Sequence, residues 1–441
     1  MSSESSSAFS ANHSRAPLIA FALFITVSGL AGIKLVIGAP LHWALVLTAI
    51  LAWALFRAEP LLNAVVAPFA GLVSRAPAWL LFWGAWVCFC LGILIAGWVN
   101  DGAGIYTVPK YLALMGFLWL LVSFVPKTEE LVGGLYLLAA VGGVGFLIVW
   151  LGGFSDWLEL PPKRYGWALL PPGVLWKAGV FLIPSLCWVL LNKRYPSKLQ
   201  WGFFFLACAL VGLDGSRTAA LLAAMIWLLF SVLVCCRFGL SNAPVKRALI
   251  IAVWMLVLIG GINPSPWNPV IHVYSVLGEL VPNYPGSGTE AGNGLIQPGR
   301  ELGGDSIRTA MLIEGVRGVQ EHFLLGSGFG TTVAQTESMD SPMVVHMTYL
   351  QVLADTGLLG FLGYMGIFLV PLWYFFLAMR RANDSWSLFD ENALPLGIVG
   401  IYMFSSLLHP ISNEISEWAV VLPALAMLFK ATERFESASR S

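Results

Sequence analysis

Apolar runs long enough to cross a bilayer follow one another along most of this chain. A transmembrane helix needs about 20 consecutive apolar residues, and the first such run lies at 17–37. Further runs of spanning or nearly spanning length lie at about 40–56, 78–99, 107–125, 131–152, 171–191, 200–213, 218–236, 248–264, 346–377, 394–409 and 416–430. We therefore predict an all-α polytopic membrane protein with about 12 transmembrane helices.

The composition excludes a water-soluble globular fold. Only 11% of the 441 residues are charged and 58% are hydrophobic, whereas about a quarter of a soluble domain is charged. The 24 basic and 24 acidic residues balance, so the chain has no basic excess for nucleic acid and we predict the lipid bilayer as its surroundings. The six cysteines lie in apolar runs, which is typical of small buried side chains.

The order of the runs predicts five segments, one of which is a large loop. They are a Ser-rich tail at 1–16, helices 1–9 at 17–264, a large loop with an amphipathic helix at 265–345, helices 10–12 at 346–430, and a second tail at 431–441. The stretch at 60–73 is short and contains Pro68, so we interpret it as an interfacial or half-spanning element.

The basic residues predict which side of the membrane each segment faces. With the N-terminus inside, most of the 24 Lys and Arg residues fall on the cytoplasmic side, as the positive-inside rule requires. Both tails are then cytoplasmic and the large loop is outside, which in a Gram-negative bacterium is the periplasm. We expect a multi-pass protein of the bacterial inner membrane whose active site faces the periplasm.

A polar break at 214–217 separates two apolar runs near the predicted outer surface. Its sequence is Asp-Gly-Ser-Arg, and a guanidinium at this depth needs an anionic partner. Arg217 either pairs with Asp214 or reaches to the interface, or it clamps a phosphate, since its planar fork binds phosphate oxygens in pairs. The residues alone leave both interpretations open.

The large loop contains an amphipathic pattern at 305–322. Ile307, Met311, Ile313 and Val316 alternate with polar residues that include Arg308 and Arg317, which predicts a helix on the bilayer surface or over the bundle. Asp305 and Ser306 could cap its N-terminus. The glycines at 326, 328 and 330 follow; without a preceding strand they indicate a tight turn rather than a phosphate loop.

His346 lies where the loop re-enters the membrane. Imidazole is suited to accept a proton near neutral pH, although a single interfacial histidine is more often only a hydrogen-bonding group. The outer segments contain no metal-binding motif, so we predict no metal and no cofactor. A diphosphate substrate would then be bound by arginines.

Three segments together resemble the O-antigen ligase and polymerase superfamily. They are GSR at 215–217, HFLLGSGFGT at 322–331 and HMTYLQVLADTGLLG at 346–360. Two departures are Met347, where such proteins commonly have Asn or Ser, and Phe323, where they usually have Pro. The resemblance covers roughly 200–430, and the length and span number are most like those of the O-antigen ligases.

The resemblance implies a membrane-embedded, GT-C-like, metal-independent and inverting glycosyltransferase of lipopolysaccharide biosynthesis. Its donor would be a polysaccharide on undecaprenyl diphosphate, and its acceptor a sugar hydroxyl of the lipid A core. His346 would be the general base, and Arg217 and Arg308 would bind the diphosphate. Further candidates for the site, ranked after these three, are Arg300, Arg317, Lys110, Arg164, Ser216, Tyr349 and Gln351.

Two other functions remain open at this point. An O-antigen polymerase of the same superfamily would use the same residues and a different acceptor. A flippase or other transporter of lipid-linked oligosaccharides would also need cations, but spread through the depth of the bundle. Here the candidate cations gather at the outer helix ends and in the loop.

Overall fold

The computed structural model confirms an all-α polytopic membrane protein. It describes residues 15–57, 77–151, 165–171, 173–192, 196–239, 242–262, 298–335, 342–382, 384–409 and 415–438. Within these ranges, 8 helices are long and apolar enough to cross a membrane. The other four predicted spans, at 17–37, 200–213, 394–409 and 416–430, are not among these eight, so the number of about twelve stays a prediction.

The helices lie in the predicted apolar runs, but the runs at 17–37, 171–191 and 346–377 are each interrupted by a break. In the first part of the chain they are α1 (Ala16–Gly29), α2 (Ile33–Ile37), α3 (Ala39–Phe56), α4 (Pro77–Val99), α5 (Val108–Phe124), α6 (Thr128–Leu151), α7 (Leu175–Val180), α8 (Ile183–Asn192), α9 (Lys198–Asp214), α10 (Arg217–Phe238) and α11 (Asn242–Met255), which a π-helical turn (Leu256–Gly260) extends. After it come α12 (Pro298–His322), β1 (Val333–Ala334), β2 (Met343–Val344), α13 (Thr348–Arg381), α14 (Ser385–Ser405) and α15 (Ile415–Ala438). The stretch at 60–73 lies outside the described residues.

The chain divides into two compact units. The first consists of Met1–Ile25, Trp43–Gly134 and Asp305–Ser441, and the second of Thr26–His42 and Leu135–Gly304. The first unit contains the turn after α12, the β-ribbon and α13, and the second contains the junction of α9 and α10.

In the first unit, α4 and α13 pack with their backbones in contact. A Cβ atom on Gly92 would lie 2.4 Å from the Cα of Gly360, and one on Gly363 would lie 2.3 Å from the backbone nitrogen of Phe89. Such approach requires glycine, and small residues are how membrane helices gain packing contacts. The close packing of this pair therefore gives α13 a firm support.

The long helix α13 is broken at Gly357. This residue has φ 68° and ψ −174°, a conformation that glycine adopts without steric cost. A Cβ atom here would lie 2.4 Å from the carbonyl oxygen of Leu324. The predicted single run at 346–377 is thus two helical pieces, and the break receives the turn that follows α12.

In the second unit, α9 packs closely against α7. A Cβ atom on Gly179 would lie 2.4 Å from the carbonyl oxygen of Ala207. The run predicted at 171–191 is two helices, α7 and α8, with a turn at Phe181 and Leu182 between them.

The helix predicted at 305–322 is present as α12 but begins earlier, at Pro298. The prediction that Asp305 and Ser306 cap its N-terminus is therefore wrong, because both lie inside the helix. Its buried side is formed by Met311 and Gly315, and a Cβ atom on Gly315 would lie 2.4 Å from Leu350 Cδ2.

The predicted apolar positions of α12 are divided between two faces. Ile313 is 53% exposed and Val316 is 42% exposed, whereas Met311 is buried. Glycine on the buried side allows close packing where a larger side chain would hold α12 away. The side chain of Ile307 lies outside the described residues.

Candidate functional site

The glycine-rich segment after α12 is a tight turn, as predicted. Gly326, Gly328 and Gly330 have φ values of 78°, 105° and 81°, which other residues rarely adopt. The Gly326 N–H donates to the carbonyl of His322 at 2.8 Å and closes the end of α12. The three glycines thus serve the backbone path of the turn.

The turn is hydrogen bonded to the broken part of α13. The N–H groups of Ser327 and Gly328 donate to the carbonyls of Ala354 and Asp355 at 3.0 and 2.9 Å. In return, the Leu358 N–H donates to the carbonyl of Phe323 at 2.9 Å. The break at Gly357 therefore provides backbone groups that a continuous helix would use internally.

Asp355 is a buried carboxylate that the sequence reading did not select. It is fully buried and accepts hydrogen bonds from the N–H groups of Gly330 and Thr332 at 2.8 and 3.0 Å. The Thr332 hydroxyl and the Gln351 side-chain amide also donate to it, the latter at 3.2 Å. An ionisable residue inside an apolar run is a functional candidate, and this signal could have identified Asp355.

His346 lies between the β-ribbon and α13. The strands β1 and β2 pair antiparallel, with Val333 opposite Val344, and His346 follows β2 by two residues. Its Nδ1 lies 2.8 Å from the carbonyl oxygen of Val344. Because a carbonyl only accepts, Nδ1 carries the hydrogen. In the neutral imidazole, Nε2 then has the free lone pair that a general base needs.

Carbonyls at the end of α14 hold the start of α13. The Thr348 N–H lies 2.8 and 2.9 Å from the carbonyls of Ser406 and His409, and its hydroxyl donates to His409 at 2.7 Å. Met347 precedes the helix and makes no side-chain cap. Helix α14 therefore supplies partners for a helix start that the Met347 side chain leaves uncapped.

Tyr349 and Gln351, two of the predicted candidates, belong to this framework. The Tyr349 hydroxyl donates to the carbonyl of Met403 at 2.7 Å. Gln351 is only 2% exposed, and its amide faces the Asp355 carboxylate. Tyr349 thus binds α14 and Gln351 binds within α13, and both residues are close in sequence to His346.

Ser216 and Arg217 lie at the junction of α9 and α10 in the second unit. Gly215 ends α9 with φ 69°, and the Ser216 hydroxyl caps α10 by accepting from the Ala219 N–H at 3.3 Å. Arg217 is the first residue of α10 and is exposed. The guanidinium thus extends from a helix N-terminus, where backbone N–H groups and the helix dipole attract anions.

Asp214 precedes this junction and is fully buried. Its carboxylate accepts from the N–H groups of Gly173 and Trp176 at 3.0 and 3.2 Å. These groups belong to the start of α7, whose orphan donors need such partners. Asp214 therefore fixes one helix of the second unit against another.

The remaining predicted candidates differ in surroundings. Arg317 is 57% exposed and pairs with Glu314 at 2.9 Å one turn earlier. Lys110 is half-buried in the first turn of α5. Arg300 and Arg308 belong to α12, but their side chains, and all of Arg164, lie outside the described residues. Among described residues, no cluster of His, Cys, Asp or Glu side chains could hold a metal ion.

Part of the chain matches a known protein family. Residues 202–365 match the sequence model of the family described as O-antigen ligase. No curated protein matches the chain. The matched region contains Arg217, the glycine-rich turn, His346 and Asp355. Residues 202–365 are thus similar to this family, which confirms over that range the resemblance predicted from the sequence.

Proposed function

We propose that this protein is an O-antigen ligase of the bacterial inner membrane. It transfers O-antigen polysaccharide from undecaprenyl diphosphate to a sugar hydroxyl of the lipid A core at the periplasmic face. The observation that carries this proposal is His346, whose Nδ1 is bound to the Val344 carbonyl at 2.8 Å within the family match. This bond leaves Nε2 as the proton acceptor.

His346 acts as general base in the transfer. Nε2 takes the proton of the acceptor hydroxyl while its oxygen attacks the anomeric carbon of the donor. The bond from that carbon to the diphosphate oxygen breaks on the opposite face, and the electron pair leaves with the diphosphate, so the configuration inverts. General-base assistance of this kind is worth about 10² to 10⁴ in rate.

Arg217 and Arg308 stabilise the departing diphosphate. Negative charge grows on the leaving oxygen in the transition state, and each well-placed donor contributes on the order of 3 kcal/mol to lowering the barrier. Arg217 combines its guanidinium with the N-terminus of α10. Arginines in this role replace the divalent cation that other diphosphate-using enzymes require.

An O-antigen polymerase is the second candidate, and the same family match supports it. Both reactions use the same donor and the same base, and they differ only in the acceptor. A ligase places the chain on the lipid A core, whereas a polymerase places it on another lipid-linked chain. The identity of the product therefore separates them.

The test is a transfer assay with the purified protein. Lipid-linked polysaccharide is incubated with either lipid A core or additional donor, with and without excess EDTA, and products are resolved by gel and mass spectrometry. Polysaccharide on the lipid A core that persists in EDTA is expected. Longer lipid-linked chains would show a polymerase, no transfer would refute both, and dependence on added Mg²⁺ would refute the arginine mechanism.

A further inference from the structure

A continuous set of hydrogen bonds leads from the buried Asp355 to His346. Asp355 receives the N–H groups of Gly330 and Thr332 from the turn and the amide of Gln351 from its own helix. The Asp355 carboxylate is not exposed to solvent. A buried charge of this kind is costly unless hydrogen bonds surround it. These donors are therefore held to Asp355 strongly.

Thr332 connects this carboxylate to the ribbon. Its N–H and hydroxyl donate to Asp355, while its carbonyl accepts from the Val345 N–H at 3.3 Å. The next residues form β1, which pairs with β2. The position of Val344 and Val345 thus follows the position of Thr332.

The ribbon in turn orients the imidazole. Val344 is in β2, and its carbonyl binds Nδ1 of His346 at 2.8 Å. A shift of this carbonyl would rotate the ring or remove the hydrogen bond that keeps the hydrogen on Nδ1. Either change would misdirect the lone pair of Nε2.

We propose that Asp355 is a positioning residue that sets the orientation of His346 through Thr332 and the β-ribbon. This inference rests on the proposed function, in which His346 is the base. Misplacing a reacting group by about 1 Å can cost about 10² in rate. Asp355 therefore governs kcat without touching the substrate.

Asp355→Asn is the informative substitution, because it keeps the shape of the side chain. One carboxylate oxygen becomes an NH₂ group. In one orientation of the amide this group faces the donors of Thr332, and in the other it faces those of Gly330 and Gln351. Because two donors cannot bond to each other, at least one bond to the turn is lost in either case. We expect kcat to fall about 10²-fold with a much smaller change in KM.

Thr356→Val is the matched control. Thr356 is the next residue, is 1% exposed, and its hydroxyl donates only within α13, to the Val352 carbonyl at 2.7 Å. Valine has the same shape and leaves the turn untouched. This variant should keep the kcat of the wild type, and an equal loss in both variants would show a general defect of α13 and refute the positioning role.

A double-mutant cycle with His346→Gln tests whether Asp355 acts through the histidine. If it does, Asp355→Asn should lower kcat about 10²-fold in the wild type and leave the residual rate of His346→Gln unchanged. A further loss of similar size in the His346→Gln background would overturn the inference.

Two measurements test the positioning role of Asp355 without an assay of transfer activity. Hydrogen exchange of peptides covering 328–346 should accelerate in Asp355→Asn and not in Thr356→Val. In NMR spectra of protein labelled with ¹⁵N-histidine, the Nδ1–H signal of His346 is identified by its absence in His346→Gln. This signal should shift or broaden in Asp355→Asn. Unchanged exchange and an unchanged signal would refute the positioning role, whereas absence of transfer by the wild type would refute only the proposed function.

Discussion

Two local regions, which we call corners, each contain a buried aspartate with a different role. One corner is Asp214 with the start of α7, and the other is Asp355 with the turn at 326–332. Asp214, in the second unit, binds two N–H groups at the start of another helix. Asp355, in the first unit, binds N–H groups of a glycine-rich turn that continues into the ribbon before His346. Both carboxylates are fully buried, yet one holds a helix end and the other holds a loop.

The difference agrees with a division in which the buried aspartates support the structure and the basic residues carry out the proposed chemistry. In each corner the carboxylate accepts hydrogen bonds from backbone N–H groups, joined at Asp355 by two side-chain donors. A basic side chain nearby in sequence is accessible from the surface: Arg217 is exposed and His346 is half-buried. If this division is correct, changes to the basic residues should alter catalysis and leave stability nearly unchanged. Changes to the supporting residues should act on stability or on orientation.

His346→Gln should cause the largest loss. Glutamine can still bind the Val344 carbonyl but cannot accept the proton, so kcat should fall by about 10² to 10⁴ while the melting temperature stays near that of the wild type. The measurement is the transfer assay together with thermal unfolding in detergent.

The control for this variant is His322→Gln. His322 is 40% exposed at the end of α12, 4.0 Å from Glu321, and only its backbone takes part in the turn. This variant should transfer at the wild-type rate. An unchanged kcat in His346→Gln would refute the general-base role of His346. The proposed contrast between the two corners would then also be refuted.

Arg217 should show the next largest effect, since it is proposed to meet the diphosphate directly. Arg217→Gln should lower kcat/KM for the lipid-linked donor about 10²-fold. Arg217→Lys should recover part of this loss, because it restores the charge but not the planar fork.

The other end of the same helix offers a matched control for Arg217. Arg237 lies in the last turn of α10, with its guanidinium carbon 5.0 Å from the centre of the Phe238 ring. Arg237→Gln changes the same charge and should leave donor kinetics unchanged. Equal effects at both ends would mean that Arg217 contributes only net charge.

The sequence allowed the helices and the rarest polar residues to be predicted. Apolar runs show where helices lie because lipid leaves the backbone few alternatives. Arg217 and His346 were selected because charged and titratable groups are scarce in such runs. Asp355 shares this property. It lies within LADTGLLG, inside the run that predicts a transmembrane helix, so the apolar pattern gave no sign of a separate role for it.

Other features depend on tertiary contacts that no local pattern shows. The turn between α7 and α8 contains Phe181 and Leu182, neither of which favours a break. The start of α12 at Pro298 was missed because Asp305 and Ser306 offered a plausible cap further along. The docking of the turn on the break at Gly357 requires backbone groups of both segments at once.

Gly326→Ala tests the support of the first corner. A Cβ atom at Gly326 would lie 2.5 Å from the carbonyl oxygen of Asp355, and the φ of 78° is itself unfavourable for alanine. The free energy of unfolding should fall by about 2 kcal/mol or more, since the left-handed conformation alone costs about 1 to 2 kcal/mol.

Gly330→Ala separates strain from packing at this corner. Gly330 has a similar φ of 81°, but nothing lies within 4 Å of the added Cβ atom. Only the conformational cost of about 1 to 2 kcal/mol should remain. Melting temperatures of the two variants measure the difference, and equal losses would contradict the close docking of the turn on α13.

Asp214→Asn should affect stability alone and leave catalysis unchanged. The amide oxygen can still accept from Gly173 and Trp176, but the charge that strengthened both bonds is gone. A hydrogen bond to a charged group contributes about 1 kcal/mol more than a neutral one, so unfolding should become easier by about that amount for each of the two bonds. Thermal unfolding, with hydrogen exchange at 173–180, measures this loss. If Asp214→Asn instead lowered kcat as strongly as Asp355→Asn while leaving the melting temperature unchanged, both aspartates would act on catalysis and the two corners would work alike.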